Sequence, residues 1–525
     1  MPSINFIGTT AAPTMPGPVC TPNTGEMRMT SRRAAFSRSE SIFESMSAPS
    51  WKQPCSTVIH SFERQSHQRL HAPNLAGPGS ITPSGLRLYT FQANANGRAF
   101  YEKNGFRAVR FGISSPPESE PDVEYHWNAF EYNTSMTINQ PTIATHNGVR
   151  STFVEVNLSQ LGRNLQAIRE KVSPAKVLIV IKANAYGHGL VEVAKYLGSQ
   201  ADYIGVAVLE EGILLRQRGV QAPILVLGGI WCNQIPAYIE HDLTLTAPSV
   251  ECLEQIDQAA AVAKKKAKVH LKIDTGMERI GVHDYNAHTL QEAALRCRHV
   301  EVEGIYSHFA NADAADLAHA RLQLERFNEV LRFYEKRSLS MPIRHIANSG
   351  GILQLPESYF DMVRPGILLY GVYPSSEAQR TVAVEPALAW KSRVVYFKVT
   401  KAGHPVSYGS TWQSDHDVRI VTVPVGYGDG YFRRMSNRVQ VIIHGKRYPQ
   451  VGRVCMDQIM VNIEQDSAFN GDEVVLIGKA QNGEQIRVEE LAEWADTIPY
   501  EILTNINTRV PRVYVTDSGT IGRLD

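Results

Sequence analysis

The chain has 525 residues, of which 43% are hydrophobic and 20% are charged, so it has room for two or three domains with ordinary buried cores. Its 53 basic and 52 acidic residues give a formal net charge of +1, which leaves no global field to attract nucleic acid or an anionic membrane. This balance favours a small neutral or zwitterionic ligand, and we expect neither nucleic acid nor a membrane as a partner.

The six cysteines are scattered along the chain without C-x-x-C spacing, which suits a reducing compartment and indicates no metal site. No apolar run reaches the length that a transmembrane helix requires, and the N-terminus lacks the charged, apolar and small-residue order of a secretory signal. The sequence therefore predicts a cytoplasmic protein without a metal ion.

Residues 1–85 are rich in serine, threonine, proline and arginine and have few periodic apolar positions, so they are predicted to be a disordered extension. The arginine and serine content would also suit a transit peptide. Glu26, Glu40 and Glu44 and the missing amphipathic pattern argue against one.

Residues 86–127 have a different character from this extension. The pattern predicts a strand at 88–91, a helix at 96–104 that ends before Gly105, and a second strand at 106–111. The string FQANANGRAFYEKNGFRAVRF resembles the C-terminal end of GCN5-related N-acetyltransferases.

That acetyltransferase family holds coenzyme A with an upstream Gln/Arg-x-x-Gly-x-Gly/Ala turn, and no such turn precedes residue 86. Tyr101 matches a tyrosine that often lies near the thioester in the family, but the piece is too short to form that fold alone. We therefore predict a vestigial fragment, produced by gene fusion or by a start codon assigned too early, with Met136 as the alternative start. Residues 128–150 are predicted to be a linker.

The segment 177–189, VLIVIKANAYGHG, is the most informative part of the chain. Its continuous apolar run is typical of a buried parallel strand, and it ends on Lys182. Burial lowers the pKa of a lysine and makes its neutral, nucleophilic form accessible, as a lysine that bonds covalently to a carbonyl compound requires. A lysine that merely extends its amine to solvent at a strand end is the alternative.

Seven further apolar strands follow the lysine strand, with helical patterns between them, notably at 250–263 and 313–334. The eight predicted strands are 177–181, 203–207, 224–227, 243–246, 269–273, 302–306, 343–347 and 362–363. Eight parallel strands with crossover helices indicate a (β/α)8 TIM barrel, which we place at 151–384, with its chemistry at the C-terminal ends of the strands.

Polar residues follow these predicted strand ends: Lys182, Asp274, His308, Asn348, Ser349 and Arg364. The loops 347–351 and 364–367 are small and rich in N–H donors, as phosphate sites after the last two strands of a barrel are. A phosphate site and a lysine amine on one face of a barrel describe a pocket for pyridoxal phosphate.

Beyond residue 385 the helical period fades. Short β-rich runs at 391–400, 419–425, 438–444, 460–463 and 473–477 are separated by Gly-Asp, Gly-Lys and Asn-Gly turns. These runs predict a second, all-β domain at 385–525, so the fold class is α/β with a C-terminal β domain.

The chain from about residue 150 to 525 resembles full-length alanine racemases in the order of its motifs. The matching strings are VIKANAYGHG, HLKIDTGMERIG, GIYSHFANAD, HIANSGG, MVRPGILLYG, VSYGS, VGYGDGYFRR, GRVCMD and PYE. The resemblance implies a homodimeric isomerase that uses pyridoxal 5'-phosphate to interconvert L-alanine and D-alanine and supplies D-alanine for peptidoglycan.

The resemblance also assigns a role to each matching residue. Lys182 and Tyr408 are the two catalytic bases, and Arg279 and Met456 contact the substrate, while a supporting and gating group contains Lys272, Asp313, Tyr427 and Arg433. The residues assigned to the cofactor are Lys182, Tyr186, His308, Asn348, Ser349, Arg364, Gly366, Ile367 and Tyr500.

Within these assignments, Tyr186, Ser349, Gly366, Ile367 and Tyr500 hold the phosphate. Lys272, which is often carbamylated in the family, orients Arg279 toward the phenolic oxygen of the cofactor. Tyr408 and Met456 come from the other subunit.

The resemblance implies two bases because racemisation removes a proton from one face of Cα and delivers another to the opposite face. Arg364 would keep the pyridine nitrogen unprotonated, since a guanidinium does not give up its proton. This limits transamination and decarboxylation, and related barrel decarboxylases carry a carboxylate at that position.

Two alternatives remain open at this stage. A serine racemase of the same family differs mainly around the gate to the site, where Asp313, Tyr427, Arg433 and Tyr500 match the narrow alanine type. A non-catalytic pyridoxal-phosphate carrier of the single-barrel type lacks the β domain that follows the barrel here.

Overall fold

The computed structural model describes residues 86–91, 102, 107–113, 121–127 and 150–524, and the chain divides into two compact units, Met1–Gln140 and Pro141–Asp525. The predicted extension at 1–85 lies outside the described residues. So do the predicted linker, apart from Arg150, and the predicted helix at 96–104, apart from Glu102.

The first unit contains a three-stranded antiparallel sheet. Its strands are Leu86–Phe91, Arg107–Ile113 and Pro121–Trp127, and the third strand lies between the other two. The first two correspond to predicted strands. The third was not predicted, although polar and apolar residues alternate in PDVEYHW as they do in a half-buried strand.

The α/β part of the second unit contains eight parallel strands that close into the predicted barrel. They are Lys176–Val180, Tyr203–Val206, Ile224–Val226, Leu245–Ala247, Ala267–Asp274, Val300–Tyr306, Ile343–His345 and Met362–Val363. Hydrogen bonds from Thr244 N to Ile224 O (2.8 Å) and from Arg364 N to Ala347 O (2.9 Å) join the two four-stranded runs into a ring. The prediction of the barrel is thus confirmed. A short strand, Val282–His283, extends the edge of Ala267–Asp274.

Helices cover the outside of the barrel. They are Leu158–Val172, Leu190–Leu197, Leu209–Gln217, Ile235–Glu240, Val250–Ala263, Ala287–Arg296, Ala318–Lys336 and Ser349–Gln354. Val250–Ala263 has the predicted bounds because Ser249 accepts a hydrogen bond from Cys252 N (3.1 Å) at its start and Lys264 is left-handed at its end. The helix predicted at 313–334 begins later, at Ala318, since Gln354 and Glu377 hold the backbone of the preceding turns.

The C-terminal part is rich in β structure, as predicted. Its strands are Leu388–Arg393, Tyr396–Thr400, Val418–Val423, Gln440–Ile443, Lys446–Val451, Ile459–Asn462, Glu473–Lys479, Gln485–Ile486, Arg512–Thr516 and Gly519–Leu524. The run predicted as one strand at 391–400 forms two. The helices Val488–Trp494 and Pro499–Thr504 were not predicted.

The strand Phe153–Asn157 connects the two parts. It lies within the predicted barrel domain by sequence, but it pairs antiparallel with Leu388–Arg393 and parallel with Arg512–Thr516 in the C-terminal sheet. The predicted domain boundaries at 384 and 385 stay a prediction, while this pairing ties the start of the unit to its end.

The core of the second unit is apolar and continuous. Val177, Leu178, Ile179 and Ile181 are fully buried, as a barrel strand covered on both faces requires. In the β-rich part, the rings of Trp390 and Tyr431 pack edge to face. Within the described ranges, every helix is too short or too polar to cross a lipid bilayer.

Candidate active site

Lys182 lies directly after the buried lysine strand, at the C-terminal end of the barrel. Burial lowers the pKa of its amine, and the positive charges of Arg279 and Arg364 lower it further, while Glu211 opposes them. The barrel therefore makes the neutral, nucleophilic form of this amine more accessible, in the direction that the sequence predicted.

The residues after Lys182 form a left-handed turn. Ala183, Asn184, Ala185 and Tyr186 have φ angles of 53°, 55°, 52° and 50°. This conformation costs about 1–2 kcal/mol for each residue other than glycine, so it persists only where the surroundings enforce it. We call the segment 183–186 the lysine turn.

Side chains from outside the lysine turn, together with that of Asn184 within it, hold the turn in place. Glu211 accepts hydrogen bonds from Ala183 N (2.6 Å) and from Ala207 N (2.8 Å). His188 Nδ1 lies 3.0 Å from the carbonyl oxygen of Tyr186. Asn184 accepts a bond from Leu190 N (2.8 Å). The strained turn thereby presents Lys182 in one orientation.

Tyr186 belongs to an aromatic cluster beneath the site. Its ring stacks on Tyr370 at 4.9 Å and lies 6.0 Å from the ring of Tyr500, and the Tyr370 hydroxyl donates to Val180 O (3.0 Å). Burial raises the pKa of Tyr186, and burial, Tyr186 and Asp313 raise the pKa of Tyr500. Both phenols are therefore neutral hydrogen-bond donors at physiological pH.

A concave corner lies between Tyr186, Ser349 and Gly366. Ser349 Oγ accepts hydrogen bonds from Gly366 N (3.0 Å) and Leu368 N (3.3 Å), which leaves its own proton free to donate. A Cβ atom on Gly366 would lie 2.8 Å from the Tyr186 hydroxyl and 3.8 Å from Ser349 Oγ. Only glycine keeps this corner open, and two hydroxyl donors converge on it.

Two further residues assigned to the cofactor lie beside this corner. Ile367 is fully buried and starts the short 3-10 helix Ile367–Tyr370. Asn348 caps the helix Ser349–Gln354 by accepting a bond from Gly351 N (3.0 Å). The side-chain oxygen of Asn348 is thus occupied by the cap. The N–H groups of its side-chain amide remain as donors.

Arg364 is buried in the barrel mouth with 3% of its surface exposed. One terminal nitrogen lies 2.7 Å from His345 Nδ1, and the other donates to Ser307 O (2.7 Å) and Ile346 O (3.0 Å) and lies 3.1 Å from His308 Nδ1. Burial lowers the pKa of Arg364 to about 10, so the side chain stays charged at neutral pH. Its Nε–H finds no partner within the described part of the chain.

His308 is the neutral neighbour of this guanidinium. Burial and the charge of Arg364 hold the pKa of His308 well below its usual value. Gln323, from the helix Ala318–Lys336, donates to the carbonyl oxygen of His308 (3.0 Å) and accepts from Ala310 N (2.9 Å). The imidazole is therefore fixed as a neutral group next to Arg364.

Lys272 is the second buried lysine, with 3% of its surface exposed. Its amine donates to Ile273 O (2.8 Å) and lies 5.2 Å from the centre of the Tyr306 ring. Burial, with help from Arg364, lowers the pKa of Lys272 to about 7. A large fraction of this amine is neutral under physiological conditions.

The loop after the strand Ala267–Asp274, which carries Lys272, contains Arg279. Asp274 accepts hydrogen bonds from Gly276 N (2.8 Å), Met277 N (2.9 Å) and Arg279 N (3.1 Å), which fixes the loop. The side chain of Arg279 is exposed, and its charge lowers the pKa of both Lys182 and Lys272. We call Lys182 and the residues near it, Tyr186, Lys272, Ser349, Arg364 and Gly366, the lysine site. The positive charges of Arg279 and Arg364 act on both of its lysines, as they would in a site for an anionic ligand.

Four predicted residues lie elsewhere, on a surface that we call the exposed face: Tyr408, Tyr427, Arg433 and Met456. The exposed fractions are 71% for Tyr408, 41% for Tyr427 and 53% for Met456. In the described ranges, no hydrogen bond, ion pair or ring contact joins any of the four to Lys182. The single chain therefore brings together the residues predicted to hold the cofactor, but not Tyr408, the predicted second base.

The loops of the exposed face are tied to one another. Tyr427 N donates to Cys455 O (3.0 Å), Gly428 N donates to Met456 O (2.9 Å), and Ser407 Oγ donates to Arg453 O (2.8 Å). The residues next to Tyr408 and Tyr427 thus share the segment 453–456 as a common support.

Asp429 anchors the same loops from below. Its buried carboxylate accepts from Arg150 (2.7 Å), Arg509 Nε (2.6 Å) and Gly426 N (3.0 Å), and Arg509 also bonds to Asp457 (2.5 Å). Burial raises the pKa of Asp429, but these hydrogen bonds outweigh it and the pKa lies below its ordinary value. The face is preassembled although its side chains are open to solvent.

Sequence reasoning missed several residues that shape the site. Glu211, His345 and Asp429 act through hydrogen bonds to residues distant in sequence. Arg512 donates to Gly187 O (3.0 Å) and to three other carbonyl groups near it. Sequence reasoning also missed His270, although a signal was available. His270 and Lys272 are two residues apart on one strand, so their side chains share a face.

Comparison with known proteins identifies the family. Two family models match, the alanine racemase N-terminal domain at residues 156–374 and the alanine racemase C-terminal domain at 387–514. An alanine racemase of Carboxydothermus hydrogenoformans is 46% identical over 370 residues, 70% of this chain and 100% of that protein. One of Symbiobacterium thermophilum is 44% identical over 369 residues, 70% of this chain and 98% of that protein.

Solved structures agree with these sequence matches. The alanine racemase of Clostridium difficile 630 is 36% identical with a TM-score of 0.68 and covers 72% of this chain and 99% of its own. The alanine racemase of Bartonella henselae with covalently bound pyridoxal phosphate is 28% identical with a TM-score of 0.64, and it covers 70% of this chain and 100% of its own. The matched region corresponds to the second compact unit.

Proposed function

The chain belongs to the alanine racemase family, and from this membership we propose that it divides racemisation between two bases that different subunits supply. The protein is a pyridoxal-phosphate-dependent isomerase that interconverts L-alanine and D-alanine. The observation that carries the two-subunit proposal is the separation of Lys182, inside the barrel mouth, from Tyr408, which is 71% exposed.

The residues of the lysine site fit the cofactor. The open corner at Gly366 has converging hydroxyl groups from Tyr186 and Ser349, which suits a phosphate. The Nε–H of Arg364 is a donor without a partner in the described part of the chain, which suits an acceptor nitrogen of the ring. The lowered pKa of Lys182 makes its neutral, nucleophilic amine more accessible, which suits a carbonyl carbon. When bound, pyridoxal phosphate withdraws electrons from Cα of the amino acid and makes its hydrogen acidic.

Each residue then has a definite task. Lys182 Nζ serves one face of Cα, where its lowered pKa leaves the amine free to accept a proton. Arg364 stays charged because its pKa is about 10, so it donates a hydrogen bond without releasing its proton. His308 orients Arg364, and Arg279 offers a positive charge to the carboxylate of the substrate.

The opposite face of Cα needs a second group. Tyr408 Oη is exposed, and the loop that carries it is held on a preassembled face. We therefore propose that Tyr408 and Met456 enter the site of a second copy of this chain, with Tyr427 and Arg433 at the gate. The dimer then carries two equivalent sites, as a twofold assembly does.

Mixing two inactive variants tests this arrangement. Lys182→Ala retains Tyr408, and Tyr408→Phe retains Lys182, so a mixed dimer has one site with both bases. After dissociation and reassociation, an equimolar mixture should recover about a quarter of the wild-type activity, because half of the dimers are mixed and each has one intact site. If both bases came from the same chain, no mixture would regain activity.

Substrate breadth is tested with the wild-type protein. We propose that alanine is the preferred substrate, because Asp313 and Tyr500 lie together at the site and match the narrow gate. D- and L-product assays on alanine, serine and lysine decide between this and a broader racemase. Equal rates on serine and alanine would contradict the proposal.

We propose that residues 86–127 are a vestigial acetyltransferase fragment. The three-stranded antiparallel sheet supports this, and the matched alanine racemase regions begin only at residue 156. The purified chain should not transfer acetyl groups from acetyl-CoA to amines. Acetyl transfer at a measurable rate would contradict the vestigial interpretation.

We also propose a cytoplasmic location. The cysteines of the second unit, Cys232, Cys252, Cys297 and Cys455, are all unpaired in the described ranges, as is usual in a reducing compartment. Fractionation of the source cells should place the activity with cytoplasmic markers, and activity among extracellular proteins would contradict this location.

A further inference from the structure

A line of polar side chains runs from Arg364 into the interior of the barrel. Arg364 Nη1 lies 2.7 Å from His345 Nδ1, and His345 Nε2 lies 2.8 Å from His270 Nδ1. Among the described residues, His270 Nε2 has no hydrogen-bond partner, and the carboxylate oxygen Glu303 Oε2 lies 4.0 Å from it. Both imidazoles are fully buried.

The chemistry of these groups dictates which nitrogen carries each proton. A guanidinium has only donors, so His345 Nδ1 must accept from Arg364 and the proton of His345 must lie on Nε2. His345 Nε2–H then donates to His270 Nδ1, and the proton of His270 must lie on Nε2, facing Glu303. Only one arrangement of protons satisfies both short contacts.

The surroundings keep both rings neutral and in place. Burial, with the charge of Arg364, lowers the pKa of His270 to about 3 and holds that of His345 well below its usual value. The ring of Tyr306 stacks on His345 at 4.7 Å with an interplanar angle of 3°, and its hydroxyl bonds to Thr246 (2.8 Å). The stack therefore fixes the plane of the His345 ring, and the two short contacts at its nitrogens fix which edge faces Arg364.

We infer that His270 is a positioning residue for racemisation: by accepting from His345, it selects the form of His345 that orients the Arg364 guanidinium. In the described ranges, His345 is the hydrogen-bond partner of His270, so His270 acts on Arg364 through His345. The inference rests on the proposed role of Arg364 toward the cofactor ring, and it adds His345 and His270 to the residues on which that role depends.

The decisive variants are His270→Leu and His270→Asn. Leucine removes the acceptor and leaves His345 Nε2–H unpaired in a dry interior, whereas the asparagine oxygen can stand where Nδ1 stood. His270→Leu should lower kcat about tenfold with KM nearly unchanged, the order expected when a buried hydrogen bond loses its acceptor. His270→Asn should restore kcat to within about threefold of wild type.

Two readouts separate positioning from a merely structural role. The absorption spectrum of the bound cofactor should shift in His270→Leu and return in His270→Asn, because Arg364 faces the ring. In the cofactor-free protein, the 15N spectrum of labelled histidine should show His345 and His270 both neutral and protonated on Nε2. Thermal unfolding of the cofactor-free variants reports whether each still folds.

The outcomes are distinct. A proton on Nδ1 of His345, or equal spectra and rates for the leucine variant and wild type, would overturn the inference. If His270→Leu does not fold, the wild-type 15N spectrum and the asparagine variant still decide. The 15N measurement needs neither cofactor nor activity, so the inference and the proposed function fail separately.

Discussion

The lysine site and the exposed face use opposite strategies for their polar side chains. Arg364 and Lys272 are each 3% exposed, and both donate hydrogen bonds to buried groups of the same chain. Tyr408 and Met456 are more than half exposed, although the loops that carry them are tightly hydrogen-bonded. One region has a rigid interior, and the other has a rigid support beneath free side chains.

This difference indicates which part of the reaction each region performs. Burial shifts the pKa values of ionisable groups, and it lowers the pKa of Lys182, Lys272 and His308. A residue open to water cannot be tuned in this way until a partner covers it. The contrast therefore supports a site that is completed only when a second copy docks, and four experiments would sharpen or break it.

The largest effect is expected from Tyr408→Phe. Removing the second base should lower racemisation by roughly 10²–10⁴-fold in both directions, since general acid–base groups contribute factors of this size. The enantiomer whose Cα–H faces Lys182 should still exchange that hydrogen for solvent deuterium, as NMR would show, while the other should not. Equal exchange of both enantiomers would mean that Tyr408 is not the opposing base.

Asp429→Asn tests the support beneath the exposed face. Loss of the buried carboxylate should lower the free energy of unfolding by about 1–3 kcal/mol, a value reduced because Arg150 and Arg509 are partly exposed. The folded pKa of Asp429 lies below its ordinary value of 3.8, so wild type should keep this advantage above that pH and lose it as the pH falls further.

Denaturant unfolding of both proteins across this pH range measures the difference. Asp457→Asn is the matched control, because Asp457 is 60% exposed and bonds to the same Arg509. It should change stability by less than about 1 kcal/mol. A control that matches Asp429→Asn would show that burial of the carboxylate is unimportant.

Gly366→Ala tests the open corner of the lysine site. The added Cβ would lie 2.8 Å from the Tyr186 hydroxyl, which stacking on Tyr370 keeps from moving away. Overpacking of this kind should weaken binding of pyridoxal phosphate by about tenfold or more, measured by titration of the cofactor-free protein. Gly229→Ala is the control, since its Cβ would meet only Ile280 at an ordinary 3.5 Å. Equal affinities for both variants would remove the corner as the phosphate site.

The smallest effect concerns Lys272. Because its pKa is about 7, the amine is largely neutral at pH 8 and can add to carbon dioxide, forming a carbamate and releasing a proton. With 13C-labelled bicarbonate, NMR should show a carbamate signal at pH 8 that declines as the pH falls below about 7 and the amine becomes protonated. Lys272→Arg should show none at any pH. A wild-type spectrum without the signal at pH 8 would leave Lys272 as a plain amine.

Much of the barrel could be predicted from the sequence because its strands are covered on both faces. Such strands are continuous apolar runs, as Val177 to Ile181 show, and all eight were placed within a few residues. Ser249 marked the start of Val250–Ala263 in the same local way. Local signals of this kind depend only on neighbours in the chain.

The lysine turn had no such signal. Ala183, Ala185 and Tyr186 are residues that rarely adopt a left-handed conformation, and the carboxylate of Glu211, 28 residues away, helps to hold them there. Phe153–Asn157 was likewise assigned to the barrel domain by its position, although its partners are strands more than 200 residues distant. Neither feature follows from residue type.

The sequence by itself determined the eight-stranded barrel, the lysine at its mouth and the family, because apolar periodicity and contiguous motifs are local properties of the chain. Only the tertiary structure decided that Arg364, His345 and His270 form one hydrogen-bonded line and that Glu211 holds the lysine turn. These hydrogen bonds join residues that are far apart in the sequence, and only the closed barrel brings their side chains close enough to form them. The motifs identify the residue types that carry the chemistry, and the packing of the buried interior sets their geometry.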